Sequence, residues 1–259
     1  MSEGDASIPE RKRVARGFRV DPRQGSKGEA GVMVAIPAAG SGRRMGGTKK
    51  AFLLLAEEPL LLHALRPFLD HPRVTRVAVA LSSEDAGNPP PWLVGLDSRV
   101  RVVEGGSTRS RSVHAALEAL SLDEEVVLVQ DAARPFVTHE IIDRCLAGVF
   151  AGEGTAAGWP VVDTLKRVDG QGVVLSTPER SGLWRAQTPQ AFPGRSLLEA
   201  YERALREDWG ATDDAGVFTR NGGRVRMVEG APWNLKVTHP EDLALAHAVL
   251  SRREWEAAQ

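Results

Sequence analysis

One stretch limits what this chain can become: Val34-Ala35-Ile36-Pro37-Ala38-Ala39-Gly40-Ser41-Gly42-Arg43-Arg44-Met45-Gly46-Gly47-Thr48-Lys49-Lys50. An apolar run ends abruptly in small residues, glycines and clustered cations. Bare backbone N–H groups in such a loop can approach phosphate oxygens closely, and the cations neutralise them. The stretch therefore reads as a strand that empties into a cradle for a nucleoside triphosphate. Two familiar loops do not fit. A P-loop needs G-x-x-x-x-G-K-[ST], whereas Gly42 and Gly47 are followed by Thr48-Lys49, the reverse order, with no helical pattern opening there. A dinucleotide fingerprint drawn through Gly40, Gly42 and Gly46 would be crowded by Arg43-Arg44. Glu57 or Glu58 also comes too early to be the ribose-binding acid expected about 20 residues on.

Such a strand needs partners, and the chain supplies them at intervals. Residues 32–36, 74–81, 99–103 and 126–129 read as strands, several of them unbroken apolar runs suited to a sheet covered on both faces. Residues 59–69 and 109–120 carry apolar side chains at helical spacing, the second after Ser107-Thr108 as N-cap candidates. This alternation predicts an α/β fold with a doubly wound, mostly parallel sheet, in which ligands sit beyond the carboxyl ends of the strands. That rule selects the loops at 38–50, 104–112 and 130–135. A helix at 138–150 closes the series. The texture then changes to short β-like segments at 155–162, 164–168, 173–175 and 183–186, which predict a β-arm over residues 160–186 projecting from the sheet. Helical patterns return at 196–206 and 240–252, with a strand at 224–228 between them.

The remaining bulk properties serve to exclude. Residues 1–31 are polar, dotted with glycine and without periodicity, so a disordered tail is expected there and a single domain over residues 32–259. A formal net charge of -1 gives no global attraction to nucleic acid or to anionic membranes, so any anion binding is local. No apolar run approaches the ~18 residues of a membrane span, and the N-terminus lacks a signal-peptide core. One cysteine, Cys145, excludes an internal disulfide and a cysteine-built zinc site, and the expectation is a cytoplasmic protein. Cys145 lies beside Ile141, Ile142 and Val149 at helical spacing and reads as a buried core thiol.

Two further loops carry chemistry. Gly105-Gly106-Ser107-Thr108-Arg109-Ser110-Arg111-Ser112 follows a strand and opens a helix, so its amides and hydroxyls can bind a base or a phosphate, or serve only as turn chemistry. Asp131 directly follows Val126-Val127-Leu128-Val129-Gln130, at the carboxyl edge of a central strand. A carboxylate there suits a Mg²⁺ shared with substrate phosphates, or else caps the following turn. Arg134-Pro135 fixes the exit of that loop, with Arg134 either in a structural ion pair or on substrate.

Six blocks in fixed order then resemble one family: Pro37-Ala38-Ala39-Gly40 through Arg44-Met45; Asp131-Ala132-Ala133-Arg134-Pro135; Asp163-Thr164-Leu165-Lys166-Arg167; Leu183-Trp184-Arg185-Ala186-Gln187-Thr188-Pro189-Gln190; Ala211-Thr212-Asp213-Asp214; and Asn234-Leu235-Lys236-Val237-Thr238 with Pro240-Glu241-Asp242. Over all but the tail, the chain resembles the 2-C-methyl-D-erythritol 4-phosphate cytidylyltransferases of the non-mevalonate isoprenoid pathway. The resemblance implies a Rossmann-like nucleotidyltransferase fold and a homodimer in which the β-arm of one subunit serves the other's site. It implies that CTP and methylerythritol phosphate are joined, with pyrophosphate leaving. Ala38, Ala39, Gly40, Arg44, Lys50, Gly106, Ser107, Ser112, Asp131 and Ala132 would hold the nucleotide, and Asp131 would bind Mg²⁺. Asp131, Thr164, Arg180, Thr188, Thr212 and Lys236 would hold the second substrate, and Arg44, Lys50, Arg180 and Lys236 would carry catalysis.

This chain departs from the family pattern at two places. Lys49-Lys50-Ala51-Phe52 stands where the family more often has Pro-Lys-Gln and an aromatic; Lys50 is aligned with the catalytic lysine because Phe52-Leu53 follow, and Lys49 is its rival. Ser107 replaces a common Asp. The alternative activity is transfer to ribitol 5-phosphate, which needs the same nucleotide half.

Overall fold

The computed structural model describes residues 31–40, 49–122, 126–149 and 152–257. Residues 1–30 of the expected tail and the cradle residues 41–48, Arg44 among them, lie outside the described residues. Strand β1 (Val32–Pro37) is followed by one 3-10 turn at Lys50–Phe52, the small hairpin β2 (Leu54–Leu55) and β3 (Glu58–Pro59), and helix α1 (Leu60–Leu69). Next come β4 (Val74–Leu81), α2 (Ser83–Gly87), β5 (Val100–Glu104), α3 (Arg109–Leu120), β6 (Val126–Val129) and α4 (His139–Ala147). The second half runs β7 (Glu153–Pro160), β8 (Arg167–Val168), β9 (Val174–Ser176), β10 (Trp184–Pro193), α5 (Gly194–Arg206), α6 (Asp214–Arg220), β11 (Arg224–Glu229) and α7 (Glu241–Ala257).

Seven strands form one sheet in the order β11-β7-β10-β6-β1-β4-β5. All pairings are parallel except those of β10, which runs antiparallel to both β6 and β7. Strand pleating divides the core by parity: Val32, Val34 and Ile36 of β1 pack with α1 and α4, whereas Met33 and Ala35 pack with α3, α5 and α6. Both faces are thus covered, which is why β1, β6 and β4 from Val77 onward are apolar without alternation. Cys145 is buried in the first of these layers, and burial pushes its thiol up to about 12.

The chain moves outward from β1 to β4 and β5, then returns to β6 on the other side of β1. The strand order reverses between β1 and β6, and such a switch point opens a crevice at the carboxyl ends of the strands. The expected arm, residues 160–186, shares its two ends with the main sheet, where Pro160 pairs with Trp184. Segments near 155–160 and 184–193 belong to the main sheet, as β7 and β10, with a register irregularity between Ala186 and Gln190. Between β7 and β10, the β8–β9 hairpin and its flanks are largely exposed. No helix among the described residues is long and apolar enough to cross a membrane.

Candidate active site

The crevice at the β1/β6 switch point is a cleft of about 910 Å³. Its first wall is the end of β1: Pro37, Ala38, Ala39 and Gly40, with Ala38 N–H donating to Ala80 O at 2.7 Å so that the strand pairing continues into the loop. The second wall is the β5–α3 loop, where Gly105 N–H donates to Leu81 O at 2.7 Å. The two walls nearly touch. A Cβ on Gly105 would lie 2.8 Å from Ala39 Cβ, and one on Gly106 would lie 2.2 Å from Arg111 Cβ, so glycine is required for this approach. Thr108 caps α3 by accepting the Arg111 N–H. Ser112 closes the loop from inside: its hydroxyl accepts Gly106 N–H at 3.2 Å and donates to Thr108 O at 2.9 Å.

On the floor, the β6–α4 loop presents Asp131, only 8% exposed. Gln130, fully buried, donates to the carbonyls of Asp131 and Arg134 and closes the loop on itself. The Asp131 N–H donates to Thr188 Oγ1 at 3.1 Å. Three cations surround the carboxylate. Lys236 Nζ donates to Oδ2 at 2.8 Å, Arg109 Nε to Oδ1 at 3.3 Å, and Arg134 Nε lies 3.6 Å from Oδ2. Burial favours the neutral acid, but Arg109, Lys236 and Arg134 outweigh it and hold the Asp131 pKa at about 2. Arg134 also donates to the carbonyls of Asn234 and Ala186, and burial lowers its pKa. It is both a structural clamp and a charge at the floor.

Lys236 reaches this place because the 234–238 segment is pinned. Asn234, fully buried, donates to Thr188 O at 2.9 Å, and Val237 N–H to Ala133 O at 2.9 Å. Asp242, in the first turn of α7, accepts both Thr238 and His239 N–H, at 2.7 and 2.8 Å. Thr238 O in turn accepts from Lys50 Nζ at 2.8 Å. Lys50 lines the cleft; Lys49 is absent from its lining and is paired instead with Glu84 and Asp85 of α2, each at 2.8 Å.

Of the residues expected from the sequence, the cleft brings together Ala38, Ala39, Gly40, Lys50, Gly106, Ser107, Ser112, Asp131, Ala132 and Lys236. Thr188 is buried behind Asp131. Thr164, Arg180 and Thr212 are exposed and do not line this cleft, and Arg180 donates to Val162 O on the arm. Sequence reasoning did not assign a role to Arg109. It lines the cleft and ties Asp131 to Asp214, whose carboxylate it grips at 2.9 and 2.7 Å. The signal available was electrostatic: a cation as the first residue of a helix opposes the helix dipole, which favours a carboxylate beside it.

Comparison with known proteins is consistent along the whole of this region. Residues 32–252 match the family model described as 2-C-methyl-D-erythritol 4-phosphate cytidylyltransferase. A protein of that name from Symbiobacterium thermophilum is 43% identical over 230 residues, covering 88% of this chain and 95% of the relative. Another from Aeromonas hydrophila is 43% identical over 228 residues, covering 86% and 91%. The crystal structure of the Thermus thermophilus protein of that name superposes with a TM-score of 0.71 at 37% identity, over 85% of this chain and 98% of that one. The 4-diphosphocytidyl-2C-methyl-D-erythritol synthase of Anaerococcus prevotii gives a TM-score of 0.75 at 27% identity, over 86% and 96%.

Proposed function

The chain belongs to the 2-C-methyl-D-erythritol 4-phosphate cytidylyltransferase family, and from this we propose how its residues divide the work of the reaction. The enzyme joins CTP to 2-C-methyl-D-erythritol 4-phosphate, giving 4-diphosphocytidyl-2-C-methyl-D-erythritol and pyrophosphate. The observation that carries the residue assignment is the cleft at the switch point, with a Gly-rich wall for a base and an ionised carboxylate ringed by cations at its floor.

A bond forms between a phosphate monoester oxygen and the α-phosphorus of CTP, and the bond from that phosphorus to the β-phosphate oxygen breaks. A monoester with a second pKa of about 6 is largely dianionic at neutral pH, so the attacking oxygen needs no general base. No histidine lines the cleft among the described residues, in keeping with this. The obstacles are repulsion between two anions and charge growing on the departing pyrophosphate. Gly106, Ser107 and Ser112 hold the cytosine; Ala38, Ala39, Gly40 and Ala132 approach the nucleotide with small side chains or bare backbone. Lys50, with Arg44 beyond the described residues, takes the triphosphate charge. Lys236 exchanges its Asp131 partner for the incoming phosphate, and Thr188 fixes the floor from behind through the Asp131 N–H.

Mg²⁺ suits this floor. Asp131 is ionised and lines the cleft, and the described residues contain no cluster of three or more His, Cys, Asp or Glu that would cage a metal by themselves. One or two carboxylates with substrate phosphates and water are the usual supply for Mg²⁺. When bound, the ion supplies charge neutralisation and alignment of the phosphates.

Thr164 and Arg180 complete the second-substrate site from the arm of a partner subunit, and Thr212 contributes at its edge. What supports a homodimer is the surface of that arm: Val162, Leu165, Val168, Val173, Val174 and Leu175 are between 37% and 63% exposed, an apolar patch that a second copy would cover. Subunit mixing tests it. Arg180→Ala subunits combined with Lys50→Ala subunits regain activity, because one of the two hybrid sites is intact. No regain in verified heterodimers refutes the shared site. Product formation from CTP with methylerythritol phosphate against ribitol 5-phosphate tests the acceptor; preference for ribitol 5-phosphate would overturn it.

A further inference from the structure

Behind the cleft runs a chain of buried polar groups that the reaction as described above does not use. Asp214, the first residue of α6, is fully buried. Its Oδ1 accepts from Arg109 Nη1 at 2.9 Å and from the hydroxyl of Tyr201, itself fully buried on α5, at 2.5 Å; its Oδ2 accepts from Arg109 Nη2 at 2.7 Å. The start of α6 is separately fixed to the sheet. Gln190 of β10, 1% exposed, donates to Asp213 Oδ2 at 3.1 Å and accepts the Ala215 N–H at 2.8 Å.

Packing alone does not account for this arrangement, since a buried ion pair loses solvation that apolar residues of the same volume would not. The network has a direction instead. Of its three side chains only Arg109 reaches the cleft, with 27% of its side chain exposed, and its Nε–H points to Asp131 Oδ1. A guanidinium is planar, so holding Nη1 and Nη2 on one carboxylate also fixes where Nε–H points. The other Asp131 oxygen is held by Lys236, whose side chain is 42% exposed on a flexible stem. Oδ1 therefore has a braced partner at hydrogen-bond distance, whereas the hydrogen-bonded partner of Oδ2 is the mobile Lys236, with Arg134 Nε further off at 3.6 Å.

We propose that Arg109 is a positioning residue for Asp131, with Asp214 and Tyr201 as the brace that sets its plane. Asp131 then keeps its orientation when Lys236 turns to the incoming phosphate. The proposal rests on the reading of Asp131 as the carboxylate that meets the metal and phosphates. The test uses the full chain with Tyr201→Phe, Asp214→Asn, Arg109→Lys and, as reference, Asp131→Asn. For each variant, kcat, both KM values and the Mg²⁺ concentration for half-maximal rate are measured, and calorimetry gives CTP affinity without metal.

Supporting residues behind a metal-binding group typically matter by about 10- to 100-fold, which is the kcat loss expected for Asp214→Asn and Arg109→Lys. Tyr201→Phe, which removes one oxygen and keeps the ring, loses about 3- to 10-fold. The Mg²⁺ requirement rises in the same order, while metal-free CTP affinity stays within about twofold. Tyr201→Phe decides the matter where the charge variants fail to fold. Wild-type kcat and Mg²⁺ requirement in that variant, with Asp131→Asn inactive, overturn the brace alone. Metal-free CTP affinity falling in step with kcat also overturns it, because the damage is then general. Full activity in Asp131→Asn overturns the underlying reading of Asp131 and the brace with it.

Discussion

Lys49 and Lys50 are neighbours with different surroundings, and replacing each by alanine separates the two roles. Lys49 Nζ is paired with Glu84, whose side chain is 84% exposed, and with Asp85, which is 17% exposed. Exposed pairs contribute ~0.2–1 kcal/mol each, so losing the Asp85 pair and the weak Glu84 pair costs about 1 kcal/mol of stability. In a chain of this size that lowers Tm by about 2–4 °C. Lys50→Ala loses a hydrogen bond to Thr238 O, also about 1 kcal/mol. Stability therefore does not distinguish the two variants. Turnover does: Lys50 lines the cleft, and removing one preorganised contact to developing charge lowers kcat by about 10²- to 10³-fold, or ~2.7–4 kcal/mol. Lys49→Ala keeps kcat within about threefold, under 1 kcal/mol of barrier. Steady-state pyrophosphate release, thermal melts and CTP titration on both variants give the comparison, with CTP affinity in Lys50→Ala falling less than kcat. Equal losses of turnover, or a larger loss in Lys49→Ala, would refute the assignment.

Other consequences are open to direct measurement. Gly106→Ala puts a Cβ 2.2 Å from Arg111 Cβ, so the β5–α3 loop must shift; overpacking of this kind costs about 1–3 kcal/mol. CTP affinity by calorimetry should weaken about 10-fold or more, and an unchanged Kd would count against the loop as base site. Asp131 has a lowered pKa of about 2, so its contribution to stability is complete above the ordinary carboxylate value and is lost as pH falls through about 2. An acid limb in kcat/KM for methylerythritol phosphate should therefore fall near pH ~6, where the substrate phosphate gains a proton; a limb near pH ~4 as the only feature of the profile would contradict this. With its thiol raised to about 12 by burial, Cys145 should resist iodoacetamide in the native protein at pH ~8 and react once the chain is unfolded. Rapid native alkylation would show that the thiol is reachable.

Elements with strong local patterns were legible in the sequence. Strands β4 and β6 and helix α3 fall where apolar runs and the Thr108 cap place them, and β5 lies one residue later than read. Strand β10 was not legible beyond its first residues. It carries Pro189 and Pro193, which argue against a central strand, and its buried positions include Gln187, Thr188 and Gln190 alongside the apolar Ala191 and Phe192. Those polar side chains are buried because they bond to Ala231 O, to the Asp131 N–H and to Asp213 and Ala215, partners remote in sequence. Helix α6, seven residues long and containing Gly216, was too short to show a period. The cleft residues on the first three loops were legible because strand order alone brings those loops together. The role of Arg109 was not, because it depends on a carboxylate 105 positions away.

The Lys50–Thr238 hydrogen bond joins residues 188 positions apart, across a segment that Asp242 holds in place. A domain generally folds as a unit while the ribosome delivers it from the N-terminus. The hydrogen bond from Lys50 to Thr238 can therefore form only after residue 238 has been delivered, late in the chain. A nascent chain stalled before residue 236 lacks both the Lys236 side chain of the cleft and the Thr238 carbonyl, so the cleft is completed only in the last part of translation.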